Sequence, residues 1–205
     1  MSTSTKKKML DAAVLLFNAK GYGGTSVRAI AQKADVNPAL ISYYFKNKDG
    51  LLEELAIDYF EGYMDVLGKA MNEVDRTYAP AAIKEVIVSL LEHQRSHAET
   101  ARFIYRELTL DSMLAKEVAS TYLAKEKYAF SSLFEQGIRQ KHLVSFPVAY
   151  TIMQLKTMLM TPYLQKHYLT NVLYVFPHEP YFHVMHQQQV CGWIDQMTLA
   201  VKQHA

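Results

Sequence analysis

Residues 34–48, ADVNPALISYYFKNK, decide how the N-terminal part of this chain folds. Asn37 has the residue type of a helix N-cap, and Pro38 suits the first helical position because its missing N–H would have no intrahelical partner there. The pattern predicts a short helix that ends at about Phe45. One face of so short a helix cannot bury three consecutive aromatic rings together with Ile41, so at least one tyrosine is expected on the outside.

A second short helix precedes this one. Thr25 or Ser26 can cap it, and its apolar positions at helical spacing are Val27, Ile30, Ala31 and Ala34. It has to end between Ala34 and Val36, which leaves only about three residues before the next helix. Two helices joined by so short a turn cross steeply, which is the helix-turn-helix arrangement. The small Ala31 allows the crossing, and the expected core of the unit is Ile30, Ala34, Val36, Ile41 and Phe45.

The charge is distributed unevenly along the chain. Residues 1–48 hold eight Lys or Arg side chains against two Asp, a net charge of +6, whereas the remaining residues hold 14 basic and 18 acidic side chains, a net charge of −4. A basic N-terminal part followed by an acidic body suggests that the N-terminal part meets a polyanion.

DNA is the polyanion that a helix-turn-helix unit binds. The second helix enters the major groove, where its first residues meet base edges and the flanking polar groups hold phosphates. Lys48 lies at a predicted helix N-terminus, where the helix dipole disfavours a cation unless an anion such as phosphate is nearby. The alternatives are core rings and solvated charges, and we favour DNA binding over both. The expected DNA-binding residues are Thr25, Arg28, Asn37, Pro38, Ala39, Leu40, Ser42, Tyr43, Tyr44, Lys46 and Lys48.

Residues 12–52, AAVLLFNAKGYGGTSVRAIAQKADVNPALISYYFKNKDGLL, resemble the N-terminal DNA-binding domain of TetR-family regulators. The resemblance implies a helical dimer with helix-turn-helix heads and a C-terminal body that dimerises, often around a ligand cavity. Asp35 stands where the family usually has a turn glycine, and Ser42 where it usually has a tyrosine. Two such heads would need to sit about one helical turn, ~34–36 Å, apart to engage a near-palindromic site.

The remaining sequence predicts an all-α architecture of about nine helices, with no convincing pair of strands. Glycine and proline are scarce, at 8 and 6 residues, and helix-forming residues are plentiful. We expect residues 1–48 to form the DNA-binding domain. Residues 49–205 are expected to form a helical domain for dimerisation and for binding a partner or a ligand.

The last two long helices carry more apolar surface than one face needs, which favours a four-helix dimer interface over a monomeric core. The residues expected at this interface are Met153, Met160, Tyr163, Val190, Trp193, Ile194 and Met197.

Stretches outside the head resemble the RefZ-type regulators of cell division, a branch of the TetR family in Bacillus and its relatives. They are ARFIYRELTLDS (101–112), STYLAKEKY (120–128), TPYLQK (161–166) and VLYVFPHEPYF (172–182). The resemblance implies a nucleoid-associated dimer that, when bound to chromosomal DNA, restrains assembly of the division GTPase FtsZ. The candidate partner surface is then Arg102, Arg106, Glu107 and Lys116, which could equally be an ordinary solvated face. The alternative function is a transcriptional repressor released from DNA by a small-molecule ligand.

Other functions find little support in the sequence. His178, Glu179, His183 and His186 lie close in the chain, but no second motif completes a metal site. The single Cys191 has no base at a recognisable spacing and excludes a disulfide within one chain. No apolar run is long enough to span a bilayer, and no signal peptide is recognisable. We therefore expect a cytoplasmic protein that is not an enzyme and uses no metal or cofactor.

Overall fold

The computed structural model describes residues 2–73, 78–110 and 113–198. These residues form ten α-helices, so the predicted all-α fold is confirmed. The helices are α1 (Ser2–Lys20), α2 (Val27–Ala34), α3 (Pro38–Phe45), α4 (Lys48–Glu73), α5 (Ala79–Ser96), α6 (Ala98–Thr109), α7 (Met113–Arg139), α8 (Val148–Leu164), α9 (Lys166–Asn171) and α10 (Pro180–Gln196). No strand occurs in the described ranges, which contain only one isolated antiparallel bridge, between Leu143 and Thr198. No helix within these ranges is long and apolar enough to cross a membrane.

The described ranges hold one helix more than was expected. About nine helices were predicted, and the additional one is α9, which begins at Lys166 directly after α8 ends at Leu164. Gln165 lies between them with φ −107° and ψ 31°, outside the α-helical well. Pro162, which lies inside α8, cannot donate a backbone hydrogen bond and therefore weakens the helix close to this end.

The described residues form two compact units. The first comprises residues up to Glu61 together with His97–Thr121, and the second comprises Gly62–Ser96 together with residues from Tyr122 onward. The division of function after residue 48 stays a prediction.

In the first unit, α6 packs against α1. The rings of Phe17 and Phe103 stack with their centroids 4.9 Å apart, and the Arg106 guanidinium donates a hydrogen bond of 2.8 Å to the Phe17 carbonyl oxygen. The Tyr59 hydroxyl on α4 donates to the Tyr105 hydroxyl at 3.0 Å. These contacts join α1 and α4 to α6 through a common aromatic core.

In the second unit, α4, α5, α7, α8 and α10 enclose an apolar core that includes Leu90, Phe134, Leu155 and Leu159. Inside it lies a polar cluster that the sequence did not reveal. The Lys156 ammonium group contacts both carboxylate oxygens of Glu126 at 2.8 Å, and the Tyr63 hydroxyl donates a hydrogen bond to the same carboxylate. Glu126 is buried, so removing only one partner of this pair is expected to have a large effect on stability.

Candidate DNA interface

The turn between α1 and α2 is fixed by its own backbone and by two side chains. Gly21 has φ +75° and its N–H donates to the Phe17 carbonyl oxygen at 2.9 Å, which ends α1 in the left-handed conformation that glycine tolerates. Ser26, rather than Thr25, is the N-cap of α2, since its side chain accepts a hydrogen bond from the Ala29 N–H at 3.1 Å. The Thr25 side chain is buried instead, and its hydroxyl lies 2.9 Å from the Gly21 carbonyl oxygen.

The turn between α2 and α3 keeps its geometry although a glycine is absent. Asp35 adopts φ 54° and ψ 52°, the left-handed conformation, and its N–H points at the carbonyl oxygens of Ala31 and Gln32. Aspartate tolerates this region better than most residues, because its short polar side chain can bond locally, although it still costs more than glycine. Asp35 therefore supplies the left-handed residue that lets the chain turn from α2 into α3 within three residues.

The start of α3 agrees with its sequence signal. Asn37 is the N-cap, and its side-chain oxygen accepts from the Ala39 N–H at 2.9 Å, with Pro38 in the first turn. Ile30, Ala31 and Ala34 are the buried residues of α2, and Ile41 and Phe45 are those of α3. Val36, expected in this core, is only half-buried.

The side of α3 opposite this core is open to solvent. Tyr43 is 80% exposed, and its ring meets the half-buried ring of Tyr44 edge-on, with centroids 5.2 Å apart. The other exposed residues of the predicted interface are Arg28, Asn37, Pro38, Ala39, Ser42 and Lys46, and Leu40 is half-buried beside them. The three rings at 43–45 therefore separate by role: Phe45 closes the core, and the two tyrosines lie at or near the surface.

Two residues of the predicted interface, Thr25 and Lys48, make contacts within the protein. The half-buried Lys48 donates hydrogen bonds from its ammonium group to the carbonyl oxygens of Tyr22 at 2.9 Å and Thr25 at 3.1 Å. The same ammonium group lies 4.2 Å from the centre of the Tyr22 ring. Thr25 is buried in the turn that Lys48 holds. The first role of this pair is therefore to fix the α1–α2 turn against the start of α4, which the expectation of direct phosphate contacts did not include.

Tyr22 and Lys6 also take part in this framework, and neither was predicted from the sequence. The Tyr22 hydroxyl donates to the Asp49 carboxylate, and burial together with that carboxylate raises the pKa of Tyr22. Lys6 pairs with Glu54 on α4 and lies 6.0 Å from the centre of the Phe45 ring. These side chains tie α1 and α4 to the end of α3. The partners are between 27 and 48 positions apart, so no local pattern could have identified them.

Tyr43→Ala and Lys48→Ala are expected to weaken DNA binding in different ways. Tyr43 is exposed, so its loss should lower affinity for every duplex by roughly tenfold, the loss of one hydrogen bond to a charged group, without lowering the melting temperature. Lys48→Ala should also lower the free energy of unfolding by about 1–2 kcal/mol, because two backbone carbonyls lose their partner. The measurements are fluorescence-anisotropy titrations at several salt concentrations and thermal unfolding.

Arg28→Ala is the matched charge variant for this experiment. It should reduce the slope of log affinity against log salt by about one for each phosphate that Arg28 neutralises, whereas substitution of the uncharged Tyr43 should leave the slope unchanged. A change of base preference in the Tyr43 variant would mean that this residue reads bases rather than positioning the helix.

The predicted partner surface is only partly accessible. Lys116 is exposed and Arg102 is half-buried. Glu107 is 7% exposed, and burial raises the pKa of its carboxyl group. Arg106 is engaged by the Phe17 carbonyl oxygen. Placing Glu107 on an accessible surface was wrong, because its helix turns that position towards the core of the first unit.

The predicted dimer interface needs a similar correction. Val190 and Ile194 are buried in the core of the second unit, so they face their own protomer. Trp193 and Met197 pack partly against the same core, and Met160 and Tyr163 are half-buried. Met153 is exposed.

His183 and His186, on α10, pack against Phe182 as aromatic rings. The rings of Phe182 and His186 stack with their centroids 5.2 Å apart, and burial lowers the pKa of both His183 and His186. Within the described ranges, no group of three or more His, Cys, Asp or Glu side chains is placed to hold a metal ion.

Comparison with known proteins agrees with this geometry. The family model described as "Bacterial regulatory proteins, tetR family" matches residues 9–55. The chain is 46% identical over 194 residues to a Bacillus subtilis (strain 168) protein described as "Probable HTH-type transcriptional regulator YttP", covering 95% of this chain and 94% of that protein.

Solved structures share the fold at low sequence identity. The ketosteroid transcriptional regulator KstR2 of Mycobacterium tuberculosis matches with a TM-score of 0.78 at 15% identity, over 95% of both chains. The TetR-family regulator PfmR of Thermus thermophilus matches with a TM-score of 0.72 at 17% identity, over 91% of this chain and 94% of that one. Together, the helix-turn-helix geometry, the family match and the near full-length relative show that the chain belongs to the tetR family of DNA-binding transcriptional regulators.

Proposed function

We propose that the chain acts as a homodimer that places α3 of each protomer in successive major grooves of near-palindromic chromosomal sites. The observation that carries this proposal is the solvent-facing side of α3, where Tyr43 is exposed beside Ser42 and Lys46. The first turn of α3 offers Pro38, Ala39 and Leu40, whose contacts with bases are mostly apolar, such as those with thymine methyl groups. Phosphate contacts from the surrounding cations then supply most of the affinity.

The dimer interface is proposed on α8 and α10. Met153, Met160, Tyr163, Trp193 and Met197 remain its candidates, since each keeps some exposed surface. Tyr150 on α8 and Tyr181 and Val184 on α10 are also exposed large apolar residues. A pair of such helices meeting its symmetry mate would cover them in a four-helix arrangement.

We further propose that the DNA-bound dimer, associated with the nucleoid, restrains assembly of FtsZ. The support is the resemblance of the four stretches outside the head to RefZ-type regulators. Arg102 and Lys116 are the remaining candidates for the partner surface. Lys116 is exposed, and the half-buried Arg102 keeps part of its surface accessible. Glu117, next to Lys116, is also exposed, so α7 presents a cation and an anion side by side, and charges of this kind can steer a protein partner.

The experiment has two steps. Genome-wide mapping of bound sites first supplies the cognate duplex, and FtsZ polymerisation is then followed by light scattering with the chain, with and without that duplex. We expect polymer to decrease only when the cognate duplex is present, and a scrambled duplex of equal length is the control. Lys116→Ala should abolish the effect while keeping DNA affinity within about twofold of the wild type, as is usual for a surface substitution. FtsZ assembly that is unchanged by the DNA-bound chain would refute the division role.

One recess bears on the alternative of a ligand-released repressor. The Glu126–Lys156 pair borders a space of only about 10 Å³, otherwise lined by Phe130, Ile152, Leu155 and Leu159, which is room for about one water molecule. Ligand sites combine apolar walls with a few polar groups in this way but are far larger, at ~300–1,000 Å³, so a ligand would have to separate the surrounding helices. Bound sites at the promoters of transporter or enzyme genes would favour this function. A few sites at fixed chromosomal positions would favour the division role.

A further inference from the structure

Large apolar side chains are exposed in the connection between α9 and α10. This connecting segment, residues 172–179, presents Val172, Leu173, Tyr174, Val175 and Phe176 to solvent one after another. Tyr174 is 75% exposed. Monomeric proteins expose single apolar residues freely, but a contiguous run of five marks a surface that something covers.

The segment has a defined shape. The Val175 N–H donates to the Leu169 carbonyl oxygen at 2.8 Å, the Leu173 N–H to the Tyr168 carbonyl oxygen at 3.1 Å, and the Glu179 N–H to the Phe176 carbonyl oxygen at 3.0 Å. Tyr174 has φ 55°, a left-handed conformation that is unusual for a bulky residue and is found where the surrounding structure imposes it. The backbone therefore holds these side chains outward.

The absence of charge in this stretch narrows the choice of partner. Residues 168–177, YLTNVLYVFP, contain no charged side chain, so they offer no cation to a polyanion such as DNA. In an interface between two identical copies, residues near the two-fold axis meet their own counterparts, and charged ones would repel each other. An uncharged apolar segment suits such a self-complementary contact.

The area needed for a dimer points the same way. Val190 and Ile194 are used by the protomer's own core, which removes two apolar residues from the surface that α10 could offer a partner. An aromatic side chain buries ~150–250 Å² when fully covered, so Tyr174 and Phe176 with their three aliphatic neighbours supply on the order of a few hundred Å². A standard interface buries ~800 Å² per partner, and the exposed residues of α8 and α10 are the candidates for the rest.

We propose that the connecting segment packs against a second copy of this chain and extends the dimer interface beyond α8 and α10. The inference rests on the homodimer of the proposed function and assigns part of its interface to Leu173, Tyr174 and Phe176. The left-handed Tyr174 then holds its ring in the position that meets the partner.

The test is the dimer dissociation constant of the full chain, measured by sedimentation velocity over a range of concentrations. The variant is Leu173→Ser, Tyr174→Asn and Phe176→Ser together, with asparagine at 174 because it tolerates φ 55°. We expect dimerisation to weaken roughly a hundredfold, in the range found when central apolar anchors are removed, with the circular-dichroism spectrum unchanged. Leu110→Ser with Met113→Ser removes two comparably exposed apolar side chains in the other unit and should leave the constant unchanged.

Each outcome decides a separate point. A loss of tenfold or more in the segment variant alone supports the inference, and a smaller change, or an equal change in the control variant, overturns it. A wild-type chain that stays monomeric at micromolar concentration would overturn the proposed homodimer itself. A wild-type dimer that tolerates the triple substitution would leave the homodimer intact and refute only the role of the segment.

Discussion

Gly50→Ala is expected to disrupt the DNA-binding unit more than any surface substitution in it. A Cβ added to Gly50 would lie 2.1 Å from the Phe45 carbonyl oxygen and 3.2 Å from its carbon. Both are backbone atoms at the end of α3, so the clash cannot be relieved by rotating a side chain. Since α3 is the predicted recognition helix, its displacement should abolish specific DNA binding. Overpacking typically costs 1–3 kcal/mol, and we expect about 3 kcal/mol here because backbone has to move.

Gly68→Ala is the matched control on the same helix, because a Cβ added there meets nothing within 4 Å. Alanine in an open helical position should stabilise the chain by about 0.5–1 kcal/mol. The measurements are urea unfolding followed by circular dichroism and anisotropy titration with the cognate duplex. A Gly50→Ala protein with wild-type affinity and wild-type unfolding midpoint would show that α3 can shift at no cost.

Lys156→Met is expected to produce a large loss of stability in the second unit. The substitution keeps the apolar stem but leaves the Glu126 carboxylate, whose side chain is 7% exposed, with the Tyr63 hydroxyl and no cation. Breaking a buried pair by removing one partner typically costs 3–5 kcal/mol. Because the Lys156 side chain is still 22% exposed, we expect the lower end of that range, about 3 kcal/mol.

The double variant Glu126→Leu with Lys156→Met distinguishes a broken pair from impaired packing. Replacing both members of a buried pair by apolar residues is often neutral or stabilising, so the double variant should recover most of the stability that Lys156→Met loses. Unfolding can be followed by the fluorescence of Trp193, the single tryptophan, which packs against this core. If the stability changes of Glu126→Leu and Lys156→Met, each measured alone, simply add in the double variant, the pair makes no specific contribution.

The helix-turn-helix could be predicted from the sequence because its signals are local. The Asn37 cap, the position of Pro38 and the short distance between two apolar patterns all act within a few residues, and the structure follows each of them. The backbone conformation of Asp35 could not be predicted from such local signals. Asp35 stands where the resemblance led us to expect a turn glycine, and only the structure shows that aspartate adopts the left-handed conformation there.

The roles of Thr25 and Lys48 could not be read in the same way. Both were assigned to DNA from their positions at the ends of helices. Their actual contacts join residues up to 26 positions apart, and these form only when α1, α2 and α4 come together. The DNA contacts of all the predicted residues stay predictions until affinity is measured.

The sequence by itself determined that the chain is helical, about where the short helices α2 and α3 begin, and that one side of α3 must lie outside the core. Only the tertiary structure decided which way Val190, Ile194 and Glu107 face, and that Glu126 finds Lys156 inside the second unit. The physical reason is that helix caps and turns depend on neighbouring residues. An apolar stripe, by contrast, is the same whether it meets its own core or a partner, and a buried charge is identified only by the helix that packs against it.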